Sequence, residues 1–406
     1  MKLALFLRKA ITFGIYIFAL SIPFNFPLKN INLDIPLIKS LLILEILILL
    51  FLWYLVIIFE RRLEIKLTSL VFPVIAFFII HIFSAVFPSE KMIWSLKYTF
   101  RFFGLGLIFF IIINFIKSKK EIEYLINSLF LSVGVASIFV IIQYFFPYLL
   151  VDLQYFFKDV KISVHRIRGL FGWPTDMSVY LGTFIPLILS CLIYNPKETL
   201  LKKIFYLSLL TIIIFALVLS KTRGWILGLF FGLSSLWFIY LIKKRDYRTI
   251  RITVVIFGLI VLLFFISGRY KFVMGDLEPS EKGRIMFIKE ALRLIKEHPF
   301  KGIGADMCYW KSVYKFRSHN IFLETTVNLG IFGLLVLLWL FYSIFKFITK
   351  GITSYSEIGY LKIGIFSSLL SFLAHNQVDY FWQLPEITGL FWILVGIGVS
   401  LNYYNA

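Results

Sequence analysis

The stretch SHNIFLETTVNLGIFGLLVLLWLFYSIF, residues 318–345, decides how the chain is read. From Ile321 onward it is an apolar run long enough to cross the ~30 Å hydrocarbon core of a bilayer as a helix. Ser318, His319 and Asn320 stand at its mouth, directly after the polar loop 268–318. A titratable imidazole in that position sits at a membrane–water boundary. It can reach both lipid-borne and water-soluble groups.

The rest of the chain follows the same pattern. Its 406 residues are 60% hydrophobic and 19% aromatic, which leaves too little polar surface for a soluble protein of this size. Apolar runs recur along the whole length, and none alternates with the period of a barrel strand. The chain therefore reads as all-α, a polytopic integral membrane protein with about twelve spans. These fall near 10–27, 38–58, 67–86, 97–116, 124–146, 176–195, 202–220, 223–242, 250–267, 319–345, 357–376 and 384–403. Residues 1–406 form a single membrane domain in this reading, with outer loops at 147–175 and 268–318. The large second loop lies between spans nine and ten. The first span has a basic start (Lys2, Arg8, Lys9), but Ser21-Ile22-Pro23 is a poor cleavage site, so it reads as an anchor.

Charge orients the bundle. The chain carries 42 Lys and Arg against 22 Asp and Glu. With the N-terminus in the cytoplasm, the cytoplasmic loops hold Arg61, Arg62 and Lys66; Lys117, Lys119 and Lys120; Lys197, Lys202 and Lys203; and Lys243, Lys244, Arg245, Arg248 and Arg251. The short loops opposite hold fewer, as the positive-inside rule requires. Both termini then face the cytoplasm and both long loops face outward. The net charge of +20 is spent on topology and anionic lipid rather than nucleic acid, for which no soluble basic domain exists. Cys191 and Cys308 fall on opposite sides, so no disulfide is expected. No internal repeat is evident, which weakens a transporter reading.

Three arginines stand on the outer face with His319. Arg168 lies in RGLFGWP before span six. Arg223 lies in the very short turn between spans seven and eight, and Arg284 opens a helix-like stretch, Gly283 to Glu297. An arginine beside a span most often snorkels to headgroups. Planar bidentate donors also suit phosphate oxygens, and several on one side suit a pyrophosphate. Ile285, Ile288, Leu292 and Ile295 make the 283–297 stretch amphipathic, a helix expected to lie on the bilayer surface until His298-Pro299 ends it. Gly302 and Gly304 then allow a tight turn. His81 and His375 are expected to hydrogen-bond within the bundle, and His165 and His298 read as loop residues. His375 and Asp379 are four apart and can pair on one helix face or serve packing near the outer ends of spans eleven and twelve.

Other chemistry is missing from the sequence. It has no phosphate-binding glycine loop, no dinucleotide fingerprint, no His-Glu-x-x-His and no paired-cysteine motif. No Asp-x-Asp occurs in the outer loops, which disfavours a metal-held nucleotide sugar. An energy source outside the membrane must arrive with the substrate, and a polyprenyl-pyrophosphate glycan carries its own activated bond.

These residues, taken together, resemble the bacterial O-antigen ligase family, which also contains O-antigen polymerases and protein O-oligosaccharyltransferases. The resemblance runs the length of the chain. The family signature, His-Asn/Ser/Gln, nine residues, Gly, two residues, Gly, is met by His319, Asn320, Gly330 and Gly333. Arg168, Arg223 and Arg284 resemble the family's arginines, and Pro299, Gly302 and Gly304 its Pro-x-x-Gly-x-Gly stretch. Leu334-Leu335 stand where ligases often carry Thr-Thr. The resemblance implies a GT-C-like membrane glycosyltransferase of the bacterial inner membrane. Its donor is an undecaprenyl-pyrophosphate-linked glycan and its acceptor is lipid A-core. His319 is implied as general base, Arg168, Arg223 and Arg284 as pyrophosphate ligands, with Asn320, Gly330 and Gly333 in support and no metal or cofactor. A polymerase or a protein oligosaccharyltransferase would use the same donor. A lipid-linked glycan flippase is the non-enzymatic alternative; it would also want the arginines but not the histidine.

Overall fold

A computed structural model describes residues 2–25, 40–62, 65–66, 68–147, 167–195, 198–245, 279–313, 315, 317–352 and 359–403. No β-strand occurs among the described residues. The helices are α1 (Lys2–Ser21), continued by a 3-10 turn (Ile22–Phe24), α2 (Leu41–Glu60), α3 (Val71–Val86), α4 (Met92–Phe115), α5 (Lys119–Phe145), α6 (Pro174–Tyr194), α7 (Leu200–Leu219) and α8 (Gly224–Lys243). They continue with α9 (Pro279–Glu297), a single turn at Cys308–Lys311, α10 (Ile321–Thr349), α11 (Gly359–His375) and α12 (Pro385–Tyr403). Among the described residues, nine helices are long and apolar enough to cross a membrane, and α3 is a shorter apolar one. The chain is thus an all-α, multi-pass membrane protein. The expected span at 250–267 and most of the loop 147–175 lie outside the described residues.

Several helices begin earlier than the hydropathy implies. α1 starts at Lys2 rather than 10, and α4 at Met92 rather than 97. A helix does not stop where the hydrocarbon does, because its backbone bonds are satisfied equally well in the headgroup layer. The stretch Met92–Lys97, with Ser95 and Lys97 in it, therefore stays helical.

Burial separates centre from perimeter. Within the apolar window of α12, 89% of residues are buried, and in α6 78%, against 28% for α2 and for α8. The outer faces of the perimeter helices are apolar, with Phe13, Phe51, Phe72 and Phe230 all exposed, as lipid-facing surfaces must be. Close contact between α8 and α11 depends on a stripe of small residues. A Cβ added at Gly228 would lie 2.7 Å from the Ser371 carbonyl oxygen, and one at Gly232 3.2 Å from that of Ser367. In lipid, packing at this range replaces the hydrophobic drive that helices lack there. Cys191 and Cys308 are buried and unpaired. His81 Nδ1 bonds the Phe77 carbonyl at 2.8 Å, as expected for a histidine within the bundle.

α10 contains the main irregularity. Gly330 breaks the helix with φ 69° and ψ −172°, a conformation open essentially to glycine alone. The break strips hydrogen bonds from buried backbone, where each orphan costs several kcal/mol. The segment Pro299–Gly304 lies against the break and replaces them. Ile331 N–H donates to Pro299 O (2.9 Å), Ile303 N–H to Val327 O (3.0 Å) and Gly304 N–H to Asn328 O (3.1 Å). Ser84 Oγ donates to the same Asn328 carbonyl at 2.7 Å. The Asn328 side chain then accepts from the N–H groups of Met307 (3.1 Å) and Cys308 (2.9 Å). Backbone approaches so closely here that a Cβ at Gly330 would collide with the Phe300 carbonyl, and one at Gly302 with that of Asn328.

Gly330→Ala is expected to lower stability by more than about 3 kcal/mol, from combined strain and collision. Gly104 in α4 has open space where a Cβ would go. Gly104→Ala should therefore raise stability by up to about 1 kcal/mol. Thermal unfolding of the two detergent-solubilised variants checks this; equal midpoints would contradict it.

Candidate active site

The chain enters α10 through four residues that are each fixed differently. Ser318 donates its N–H and its hydroxyl to Glu324 Oε2, both at 2.9 Å. Asn320 caps the helix, its Oδ1 accepting from the N–H groups of Phe322 (2.9 Å) and Leu323 (3.0 Å). Its amide donates to the Gln377 carbonyl (3.2 Å) and side chain (3.0 Å), while Ile321 N–H donates to Asn376 O at 3.0 Å. The start of α10 is thereby tied to the loop between α11 and α12. His319, between these anchors, adopts φ 54°, a left-handed conformation that costs a non-glycine residue about 1–2 kcal/mol. Its pinned neighbours hold it there.

That turn points the imidazole at Asp379. His319 Nδ1 lies 2.7 Å from Asp379 Oδ1, and Arg284 donates to Asp379 Oδ2 at 3.2 Å. The Asp379 side chain is 8% exposed, against 31% for His319 and 42% for Arg284. The Phe287 ring stacks on the imidazole at 5.5 Å and 24°. Arg284 and Phe287 are three residues apart on α9, so one helix face delivers both. A buried carboxylate beside Nδ1 selects the tautomer with the proton on Nδ1, which leaves Nε2 a lone pair. Such an imidazole can take a proton at Nε2 while the carboxylate stabilises the imidazolium.

α9 reaches this place by docking on the bundle. Ala291 and Leu294 are buried and pack in a cluster with Ile303, Met307, Cys308 and Val327. Met286, Ile288 and Leu292 remain exposed. The apolar stripe expected to bury Ile288 and Leu292 in the bilayer is thus only part of the helix surface; a second face holds the helix on α10. Glu290 secures its far end, accepting from Val313 N–H at 3.0 Å and pairing with Arg293 at 2.8 Å. The Arg293 guanidinium holds the Glu290 carboxyl below the usual carboxylate range.

The other expected residues divide. Arg223 precedes α8 as its N-cap residue, and the adjacent Gly224 abuts His375, whose Nε2 would lie 2.5 Å from an added Cβ. His375 ends α11, four residues before Asp379, so the backbone beside Arg223 meets the end of α11 from which the Asp379 loop departs. Arg168 sits in its own set of contacts. Its guanidinium donates to Gly172 O at 2.9 Å, and its N–H and that of Gly169 donate to Gln143 Oε1 at 2.9 and 2.8 Å. Burial pulls the Arg168 pKa down and nearby Asp176 opposes the fall. Gly330 and Gly333 shape α10 at the break rather than lining the site. The pairing of His375 with Asp379 on one helix face does not occur. α11 stops at His375, and Asp379, in the following loop, turns to His319 instead. The hydrogen bond expected for His375 is likewise missing among the described residues: Nε2 is buried without a partner, and the ring packs edge-on against Phe381 at 5.0 Å.

A buried ion cluster lies behind His319, two residues upstream. Arg317 pairs with Asp306 Oδ1 at 2.6 Å and Glu324 Oε1 at 3.3 Å, and these three side chains are 18%, 4% and 0% exposed. Trp94 Nε1 donates to Asp306 Oδ2 at 3.0 Å. The Arg317 guanidinium lies 5.7 Å from the Tyr380 ring centre, and the Tyr380 hydroxyl meets that of Tyr98 at 2.9 Å. Burial alone would favour neutral Arg317. Asp306 and Glu324 outweigh it and push the guanidinium pKa up. The cluster joins the chain just after the strap Pro299–Gly304, the first turn of α10 and the N-terminal end of α4.

The sequence model of the O-antigen ligase family matches residues 206–338. The match takes in α8, α9, the strap and the first half of α10, hence Arg223, Arg284, His319, Gly330 and Gly333. It supports membership of that family and a general role in O-antigen processing. No curated protein matches the chain.

Removing one member of a buried ion cluster leaves uncompensated charge. Arg317→Met should lower stability by about 3–5 kcal/mol, and adding Asp306→Asn should recover part of it. Denaturation midpoints of the single and double variants measure this; a single variant of wild-type stability would contradict it.

Proposed function

We propose that this member of the O-antigen ligase family is itself a ligase, transferring a glycan from undecaprenyl pyrophosphate to lipid A-core. The reading places it in the bacterial inner membrane, a single GT-C-like membrane domain of about twelve spans, with both termini cytoplasmic and the site periplasmic. The carrying observation is the His319–Asp379 contact at 2.7 Å, made at a helix mouth where lipid-borne donor and aqueous acceptor can meet.

In this mechanism His319 Nε2 takes the proton from an acceptor sugar hydroxyl. The hydroxyl oxygen attacks the anomeric carbon from the face opposite the pyrophosphate. The carbon–oxygen bond to the carrier breaks, its electron pair leaves on undecaprenyl pyrophosphate, and the configuration inverts. Asp379 holds the imidazole and stabilises the imidazolium. Arg284 and Arg223 meet the pyrophosphate and stabilise the charge that develops on it, so the reaction asks for no metal. Arg168, largely buried, supports the same group from behind its loop. Arg284 also binds Asp379, which links donor recognition to the base.

The test is reconstituted transfer with purified protein, donor and lipid A-core, without ATP or metal, products resolved on a gel. His319→Ala should slow transfer by about 10²–10⁴-fold while the protein stays folded, and Asp379→Asn by about 10²-fold or more. Near-normal turnover by His319→Ala would refute the base. Glycan that lengthens on the carrier instead of reaching the core would identify a polymerase. Translocation of intact donor without any covalent product, unaffected by His319→Ala, would identify a flippase.

A further inference from the structure

A second convergence of charge lies at the other end of the bundle. α4 runs from Met92, beside the Trp94–Asp306 bond, to Phe115. At ~1.5 Å per residue the two ends are roughly 35 Å apart. Around Phe115 there is a cavity of about 50 Å³, lined by Arg8, Glu60, Arg62, Lys66 and Lys117. The cations come from α1, from the loop after α2 and from the turn between α4 and α5. Among the described residues that line it, four are cationic and one, Glu60, is a carboxylate; beside them Glu121 accepts the Lys117 N–H at 2.7 Å.

The geometry is built rather than incidental. Arg8 binds both Glu60 oxygens and lies 5.8 Å from the centre of the Phe115 ring. Trp53 packs edge-on against Phe115 at 5.4 Å, which makes an aromatic floor. Lys66 N–H donates to Asn114 Oδ1 at 2.7 Å, folding the loop onto the end of α4. The Lys66 ammonium lies 5.1 Å from the centre of the Tyr403 ring at the end of α12. Arg8 pairs with Glu60, and Arg62, Lys66 and Lys117 complete a basic lining around one small space. Next to it, Phe51, Tyr54, Ile58 and Phe59 of α2 are exposed, an apolar surface suited to acyl chains.

We infer that this cavity binds the phosphate of an anionic phospholipid headgroup, with the acyl chains lying along α2. A water needs about 10–15 Å³ by the same measure, so the cavity admits a group of a few heavy atoms, the size of a phosphate but not of a whole lipid. Setting topology requires only that these cations lie on one side of the membrane. It does not require them to surround a cavity with an aromatic floor. Basic pockets between spans at the cytoplasmic side recognise anionic headgroups, each cation contributing about 1 kcal/mol. The site is remote from His319 and does not depend on the reaction assigned there.

Native mass spectrometry of the full-length protein tests it, with phosphatidylglycerol and phosphatidylcholine offered in equal amounts. Two variants are compared with wild type. Arg62→Gln/Lys66→Gln/Lys117→Gln removes the three cations. Val56→Phe fills the cavity from its wall and leaves every charge in place, so topology cannot change. Wild type should keep phosphatidylglycerol in preference to phosphatidylcholine. Retention should fall by roughly a hundredfold in the triple variant and clearly in Val56→Phe, with both variants monodisperse. Equal retention of the two lipids by wild type, or undiminished phosphatidylglycerol on both variants, would overturn the proposal. Displacement of the lipid by millimolar inorganic phosphate would assign the cavity to a soluble anion and overturn the lipid as its ligand.

Discussion

A helix broken inside a membrane must have its backbone satisfied by other protein groups, and the rest of this site follows from that requirement. Gly330 interrupts α10, and the carbonyls of Val327 and Asn328 lose their helical partners. The strap Pro299–Gly304 supplies N–H groups to both and accepts the N–H of Ile331. Because the strap must lie directly on the break, the chain just before it, α9, is held on the first half of α10. Because the strap leads into Asp306, the carboxylate that anchors Arg317 is fixed as well. The glycines at 302, 304 and 330 are therefore structural, and they carry the site without touching it.

His319 is held from three directions as a result. α10 presents it, the loop after α11 supplies Asp379, and α9 brings Arg284 and Phe287. Each is a short contact between segments far apart in sequence. The left-handed backbone at His319 persists because Ser318 is bound to Glu324 and Asn320 to Gln377. Strain of that kind, with its neighbours over-determined, fits the proton-acceptor role proposed for His319. The buried Arg317 cluster adds rigidity where a purely apolar packing would leave the loop free to slide.

Much of this was legible in the residues. Among the described residues the span positions follow from apolar length, because lipid forces helices, and they differ at ends where a helix continues beyond its apolar run; the expected span 250–267 lies outside those residues. His319 and Asn320 stand out because polar residues at the mouth of an apolar run are expensive to place there. Asp379 stands out in the sequence, but its spacing points to His375 or to packing, not to His319. Four-residue spacing suggests a helix face, yet α11 stops at His375 and nothing local reveals a contact across 60 positions. The same holds for Arg317, Asp306 and Glu324, which meet only because the strap crosses α10. Of the expected stripe of α9, Ile288 and Leu292 are exposed, while Ile295 packs into the docking cluster. The docking face of α9, through Ala291 and Leu294, is too small a signal to separate from the stripe beside it.

A structure of the protein in a nanodisc with a lipid-linked pyrophosphate donor bound tests the central claim most directly. The account predicts the pyrophosphate within hydrogen-bonding distance of Arg284, and the anomeric carbon placed so that an attacking hydroxyl oxygen lies about 3 Å from His319 Nε2. The His319–Asp379 contact should be retained. A donor seated with its pyrophosphate away from Arg284 and its sugar out of reach of His319 would contradict the account.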